Sequence, residues 1–558
     1  MMHTLILAVA SLSSSTALAA AERADFIIRN AHIVTVDPRF STASAAAIKG
    51  GRFIAVGSDA AVLKSKGPNT RVIDLHGQTV LPGFNDTHVH LTAGEDLETQ
   101  VDLTNIHSIK DIQSAIAARA KQLKPGKWVV GTRGWWEYQL AEGRLPTRAD
   151  LDAAAPENPV GIPGPHYMIV NSLALKLAGV TRDTPDPQGG QIYKGADGEP
   201  TGLLMDNAGR FVRPFMPHPT PPQQLAGMKR ILALVNSHGI TSAGDPQGSA
   251  KDAAMFRSLR DNGDLTVRVD FAYDVDPALP ADKVEAALKT LPKPGSDGDG
   301  MFRSDEIGET GLDGAELTAL LTQDYPGRPG YRGLQKVPNE QFKRFAALVA
   351  KYGYRLRPHA VGDGAIDEAL DAFDYANSQT PITGRRWMID HDFLLLPRHY
   401  DRVKRLGLIL NSQYMHNYQL GALILKAWKR PLADESERYA DWIKHGIVFA
   451  GGSDGPISYH AEPLLEIYGE VTRGTGWGGK LGPDQGISRA DAIRSVTING
   501  AYTTFEEKLK GSIEPGKYGD FVVLSGDILK VPAEQIRDLR VLATVLGGRI
   551  VYGTLGRQ

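Results

Sequence analysis

Hydrophobic positions come in short alternating runs at both ends of the chain and in longer helical blocks between them. From residue 25 to 80 the runs are brief and β-like: Phe26-Ile-Ile, His32-Ile-Val-Thr-Val, Ala46-Ala-Ile, Phe53-Ile-Ala-Val and Val72-Ile-Asp-Leu. Gly50-Gly51 separates two of them as a hairpin turn does. The C-terminus has the same character, with Asp520-Phe-Val-Val-Leu, Val541-Leu-Ala-Thr-Val and Gly547-Gly-Arg-Ile-Val-Tyr. These two strand-rich ends are expected to form one small β-sandwich from residues 21–82 and 506–558. The middle, 83–505, alternates β-branched apolar runs with amphipathic stretches such as Gly364–Phe373, the pattern of repeating βα units. Five runs end in polar residues: Ile240–Asp245, Leu356–His359, Trp387–His391, Gly407–Gln413 and Ile447–Asp454. Polar groups at the C-terminal ends of successive parallel strands predict an α/β fold with a (β/α)8 TIM-type barrel. The segment from about 93 to 221 is too long for a βα connection and predicts an inserted subdomain after the first barrel strand.

Composition narrows the chemistry. The 558 residues carry a formal charge of -2, which gives no electrostatic footprint for nucleic acid. There are no cysteines, so disulfides, zinc–thiolate sites and thiol nucleophiles are excluded. Residues 1–20 pair an apolar run, Leu5–Ala10, with Ala17-Leu-Ala-Ala. That predicts a secretory leader, hence a periplasmic or secreted chain, although the first residues lack Lys or Arg. The apolar run is too short to span a bilayer.

The stretch Leu81-Pro-Gly-Phe-Asn-Asp-Thr-His-Val-His places His88 and His90 two residues apart after an apolar run. In extended backbone both imidazoles share one side. His359, His391 and Asp454 stand at later strand ends, in chain order, at the same end of the same kind of unit. Imidazoles and carboxylates without thiols suit a divalent ion such as zinc, iron, manganese or nickel with an open coordination position. Such an ion makes water a nucleophile near neutral pH.

At this level of detail the chain resembles the amidohydrolase superfamily, in particular the metal-dependent hydrolases of the YtcJ type that include N-substituted formamide deformylases. The motifs that carry the resemblance are residues 81–90, Trp135-Trp136, Leu145–Asp152, Asn171–Leu175, Asp186–Gly190, His359–Asp363, Ile389–His391, Gly452–Pro456, Asn499–Ala501 and Gly511–Leu524. The resemblance implies that His88 and His90 bind the more buried ion and His359 and His391 the more exposed one. It makes Asp454 both a metal contact and the general base. Many relatives bridge two ions with a carboxylated lysine from the fourth strand. Here Met301–Leu312 contains no lysine. Glu309 is the expected bridging carboxylate and Glu306 the runner-up; with neither, the site holds one ion. Zinc is the expected metal, as one or two ions.

Arg133, Trp135, Trp136, His166, Asn171, Gln413 and His416 are the candidates for lining the substrate pocket, with Tyr414, Tyr418 and Trp428 as further apolar surface. The expected reaction is hydrolysis of a C–N amide-type bond in a small molecule: an N-acyl or N-formyl amine, a carbamate or a cyclic amide. Esters and lactones are the alternative substrates, since the same metal chemistry cleaves both bond types. A non-catalytic binding or regulatory protein on this scaffold is the third reading. No integral membrane segment is expected in the mature chain, and a homodimer is allowed by the sequence without being specified by it.

Overall fold

The computed structural model describes residues 22–92, 100–103, 106–133, 135–164, 166–456 and 460–556. The expected leader, 1–20, lies outside them. No helix among the described residues is long and apolar enough to cross a membrane.

The middle of the chain forms an eight-stranded parallel sheet, β1 (Phe84–Asp86), β2 (Ile240–Gly248), β3 (Arg268–Tyr273), β4 (Phe302–Gly311), β5 (Arg355–Ala360), β6 (Met388–His391), β7 (Ile409–Ser412) and β8 (Phe449–Gly451), neighbours in that order. The ends of the sheet meet. Thr87 N donates to Gly451 O at 3.2 Å, and Val89 bridges Gly455 in parallel. A helix follows each strand, from Pro221–Ser237 on the first circuit to Pro463–Thr472 on the last. Asp363–Gln379 shows why these helices pack. Its residues 365, 366, 369, 370, 373 and 376 form one buried apolar stripe at helical spacing. This is the (β/α)8 barrel that the alternation of runs predicts.

Two further sheets are built from the chain ends. One holds strands 52–57, 45–49, 26–29 and 71–74; the other holds 549–553, 541–546, 521–524, 79–82, 32–34 and 42–43. Phe521–Leu524 pairs antiparallel with Thr79–Pro82, so the two ends share one sheet. Ile28, Ala46 and Phe53 from the first sheet and Ile33, Val80 and Phe521 from the second form a common core. The chain passes from this sandwich to β1 through Gly83. A Cβ there would lie 2.1 Å from Thr241 Oγ1, so only glycine allows the crossing.

The inserted segment has its own five-stranded sheet, of strands 190–194, 200–206, 167–170, 160–163 and 129–130 in that order. Its core holds Ile112, Ile116, Trp135, Leu151 and Ile162. Trp135 therefore packs in the insert core and does not line the cavity described below, a correction to the sequence expectation that places it in a pocket wall.

Candidate metal centre

The backbone after β1 bends at Thr87 and His88 and is pinned by amide bonds to both neighbouring strands. Thr87 N bonds Gly451 O and His90 N bonds Gly455 O on one side, while Val89 N bonds Gly244 O on the other. His88 and His90 are thereby brought to one centre, with ring centroids 5.5 Å apart and both Nε2 atoms facing Glu309 and Asp454. Asp86 locks this segment to the end of β8. Its carboxylate accepts from His88 N (3.2 Å), Ser453 N (2.9 Å) and Ser453 Oγ (2.5 Å), while Asp454 N donates to His88 O at 2.7 Å. Burial pushes the Asp86 carboxyl up to about 6 against those hydrogen bonds.

Glu309 reaches the interior through an irregularity in β4. Residues 306 and 309 are three apart, so regular alternation would send them to opposite faces. The register with β5 shifts between Ile307 and Thr310, and this lets Glu309 face inward as well. Its Oε1 lies 2.6 Å from His359 Nδ1 and 2.8 Å from His391 Nε2; its Oε2 lies 3.5 Å from His88 Nε2 and 3.9 Å from His90 Nε2. Asp454 completes the ring, 2.9 Å from His90 Nε2, 3.4 Å from His88 Nε2 and 3.0 Å from His416 Nε2. His391 and Asp454 have φ of +75° and +54°. Non-glycine residues seldom adopt this region, and each costs about 1–3 kcal/mol of strain. The turn at His391 is what lets it and its neighbour Asp390 both face the centre.

Asp390 stands behind His88, 3.5 Å from Nδ1, and Arg357 grips it with Nε and Nη2 at 2.9 Å each. Burial favours neutral groups here, but the charges outweigh it. Asp390 and Glu309 hold His88 above its ordinary range, His416 and the site histidines hold Asp454 well below the carboxylate range, and His88 does the same for Glu309. His359 moves down to about 3 through burial and the neighbouring His391. His416, buried between Asp454 and Glu316, is raised to about 9 because those carboxylates overcome its burial.

The donor set fits a divalent cation. His88 Nε2 is fully buried, makes no well-aligned hydrogen bond and faces two carboxylates. His88, Glu309 and His391 can converge on one point, and so can His88, His90 and Asp454, or His391, His416 and Asp454. His359 reaches the centre through Glu309. A fourth acidic group, Asp270, Asp305 and Glu306, is of a different kind. Arg355 Nη2 lies 2.6 Å from Glu306 and 3.1 Å from both aspartates, and Arg357 Nη1 lies 3.2 Å from Glu306. Glu306 is thus neutralised by arginines below the centre and is not the bridging acid, a correction to its place as runner-up.

The remaining sequence candidates separate. A cavity of about 370 Å³ opens between the insert and the barrel loops, lined by Trp136, His166, Tyr167, Tyr193, Leu203, Met205, Glu316, Leu420 and Leu423 among others. Trp136 and His166 therefore face it. Asn171 does not. Its side chain caps the helix Ser172–Ala178 through Ala174 N (3.1 Å), accepts from Val160 N (3.0 Å) and donates to Asn158 O (2.9 Å). Every polar atom of its amide is engaged, so its role is structural. Gln413 is buried with Nε2 on Asn411 O at 2.6 Å and is absent from the cavity wall. Tyr414 and Trp428 are core residues, and Trp428 Nε1 donates to Glu316 O at 2.8 Å. Sequence reasoning missed Arg357, Asp390, Glu316 and Asp206. Arg357 had a signal: Arg355, Arg357 and His359 alternate along β5 and share its inner face.

An eight-stranded barrel whose strand ends gather histidines and carboxylates in this way defines a metal-dependent hydrolase centre. The model of the Amidohydrolase family matches residues 71–552. The chain belongs to that family. It is 30% identical to the putative amidohydrolase YtcJ of Bacillus subtilis (strain 168), over 87% of this chain and 91% of that one. It is 27% identical to the N-substituted formamide deformylase of Arthrobacter pascens, over 95% and 99%. The crystal structure of an uncharacterized metal-dependent hydrolase from Pyrococcus horikoshii OT3 shares the fold with a TM-score of 0.70 at 24% identity, covering 91% of this chain and 99% of that one.

Proposed function

We propose that the protein hydrolyses a small amide, of the N-acyl or N-formyl amine kind, with Asp454 as general base. His88, His90, His359, His391, Glu309 and Asp454 would hold divalent metal, zinc by the chemistry of the donors. The observation that carries this reading is the position of Glu309. One oxygen addresses His359 and His391 while the other faces His88 and His90, so this carboxylate could serve metal held by either histidine pair. When bound, such ions supply Lewis acidity, which polarises a carbonyl and acidifies water.

The chain's own groups account for the proton traffic. Asp454 is held ionised by its histidine neighbours, so it is ready to take a proton from the attacking water. The same carboxyl then returns that proton to the departing nitrogen, which becomes basic as the C–N bond breaks. His416 Nε2, itself steadied by Glu316, keeps Asp454 aimed at the centre. The apolar cavity beside His166 accepts a substituent of the substrate and excludes water around it.

Asp454→Asn tests the assignment. The variant should lose at least about a thousandfold in kcat, within the range of general base and metal contact combined. Metal content measured by mass spectrometry should stay within a factor of two on the remaining histidines. Turnover near the native rate in a metal-loaded Asp454→Asn protein overturns the mechanism. Matched amide and ester substrates decide between C–N and C–O cleavage.

A further inference from the structure

We propose that the insert supplies a second substrate-touching group: His166, oriented by Asp206, accepts a hydrogen bond from the N–H of the scissile amide, which makes the enzyme selective for secondary over tertiary amides. This rests on the amide reading above.

His166 and Asp206 sit at the ends of paired strands of the insert, where Asp206 N donates to His166 O at 2.7 Å. Their side chains meet as well, with Nδ1 2.8 Å from Asp206 Oδ1. The Asp206 carboxylate is buried and cornered by the barrel, with Lys336 Nζ at 3.0 Å and Thr318 Oγ1 at 2.9 Å. Burial alone would favour its neutral form, but the Lys336 charge and the hydrogen bond from His166 hold it ionised. An ionised carboxylate can only accept, so the Nδ1 proton is committed to Asp206 and Nε2 is the ring nitrogen left to act as acceptor.

That second nitrogen has no partner among the described residues, and its ring lines the cavity. The ring centroid lies 5.1 Å from that of His359, so the ring stands at the border between metal centre and cavity. Much of the surrounding wall is apolar (Trp136, Leu203, Met205, Leu420 and Leu423); its carboxylates are Glu137 and Glu316, the latter already paired with His416. A donor entering there without an acceptor loses its hydrogen bond to water and gains nothing. A secondary amide carries such a donor on the atom next to its carbonyl carbon. Holding that N–H at His166 fixes the rotation of the leaving group. As the carbon becomes tetrahedral, the nitrogen lone pair then forms on the side away from His166, free to take a proton. The cost of the arrangement is visible in the backbone, since Asp206 has φ +46°.

The test compares native protein and His166→Ala on a chromogenic secondary anilide and its N-methyl counterpart, with rates expressed per metal-loaded chain so that unfolded protein does not count. Each substrate serves as its own reference, so intrinsic reactivity cancels. The variant should lose about tenfold to a hundredfold in kcat/KM on the secondary amide, the scale of one buried hydrogen bond. On the N-methyl amide it should lose less than about threefold. Equal losses on both amides, or none on either, overturn the proposal; an equal loss would mean a donor to the carbonyl or a merely structural role. If native protein cleaves the matched ester and neither amide, the amide reading itself falls, and this one with it. Isothermal calorimetry on metal-free protein gives a second readout: the native chain should bind the secondary amide more tightly than the N-methyl amide, and His166→Ala should bind the two alike.

Discussion

Arg357→Met isolates the charge that supports His88. Arg357 and Asp390 are buried to within 1% of full burial, and the guanidinium makes two 2.9 Å bonds to the carboxylate. Removing it leaves Asp390 in the interior with Asn411 Nδ2, at 2.6 Å, as its remaining strong donor. Glu306 is less exposed to the loss because Arg355 stays 2.6 Å away. Breaking one side of a buried pair costs about 3–5 kcal/mol, because the surviving charge is uncompensated. At roughly 2 °C per kcal/mol for a large cooperative unit, that is a fall in Tm of about 6–10 °C. Adding Asp390→Asn removes the orphan charge while keeping an acceptor for Asn411, so the double variant should recover to within about 1–2 kcal/mol of the native protein. Metal affinity should behave differently. The partner of a ligating imidazole typically contributes about 10–100-fold, and the double variant lacks the carboxylate behind His88 Nδ1. Thermal unfolding of metal-free protein measures the first quantity, and titration against a competing chelator the second. A double variant as unstable as the single one, or one that binds metal like the native chain, refutes the reasoning.

Two further outcomes follow from the same geometry. Glu309→Gln removes the anion between the two histidine pairs, so metal per chain should fall by about one ion by mass spectrometry, with kcat reduced about a hundredfold or more. Asp150→Ala acts far from the centre, where Asp150 caps the helix Arg148–Ala154, accepts from Thr147 N and Oγ1 at 2.8 Å and pairs with Arg144 at 2.8 Å. Arg144 is half exposed, so the loss at pH 7 should be about 1–2 kcal/mol, mostly from the cap. The Arg144 hydrogen bond lowers the Asp150 carboxyl to about 2. A depressed folded-state pKa gives stability that is present above the unfolded value and lost as pH falls through the folded one. The gap between native and variant in urea unfolding should therefore be constant above about pH 5 and shrink steadily toward pH 2.

Features set by local rules were legible in the chain, and those set by distant neighbours were not. His88 and His90 could be paired from spacing, and the pair does reach one centre, though through a bend at Thr87 and His88 that the spacing did not foretell. The barrel followed from the alternation of runs. Glu309 and Glu306 could not be separated by spacing, since the deciding fact is a register shift against β5. Asn171 and Trp135 stood out as motif residues, but their reasons are a helix cap and an insert core. An asparagine directly before a helical run is a cap signature, so that correction was within reach. Asp206, Lys336 and His166 come together from three parts of the chain, and nothing local in any of them announces the contact.

The strand Thr79–Pro82 has an implication for how the molecule is made. It leads through Gly83 straight into β1 and the first two metal-site histidines, yet its antiparallel partner, Phe521–Leu524, is more than 400 positions later. Ribosomes deliver chains from the N-terminus, so the segment that carries His88 must wait for almost the whole polypeptide before its flanking sheet is complete. Until then Val80 and Leu81 lack their cover, and chaperones have a defined apolar stretch to hold. Synthesis that stops short of Phe521 leaves the anchor of the centre half paired, which couples metal capture to completion of the chain.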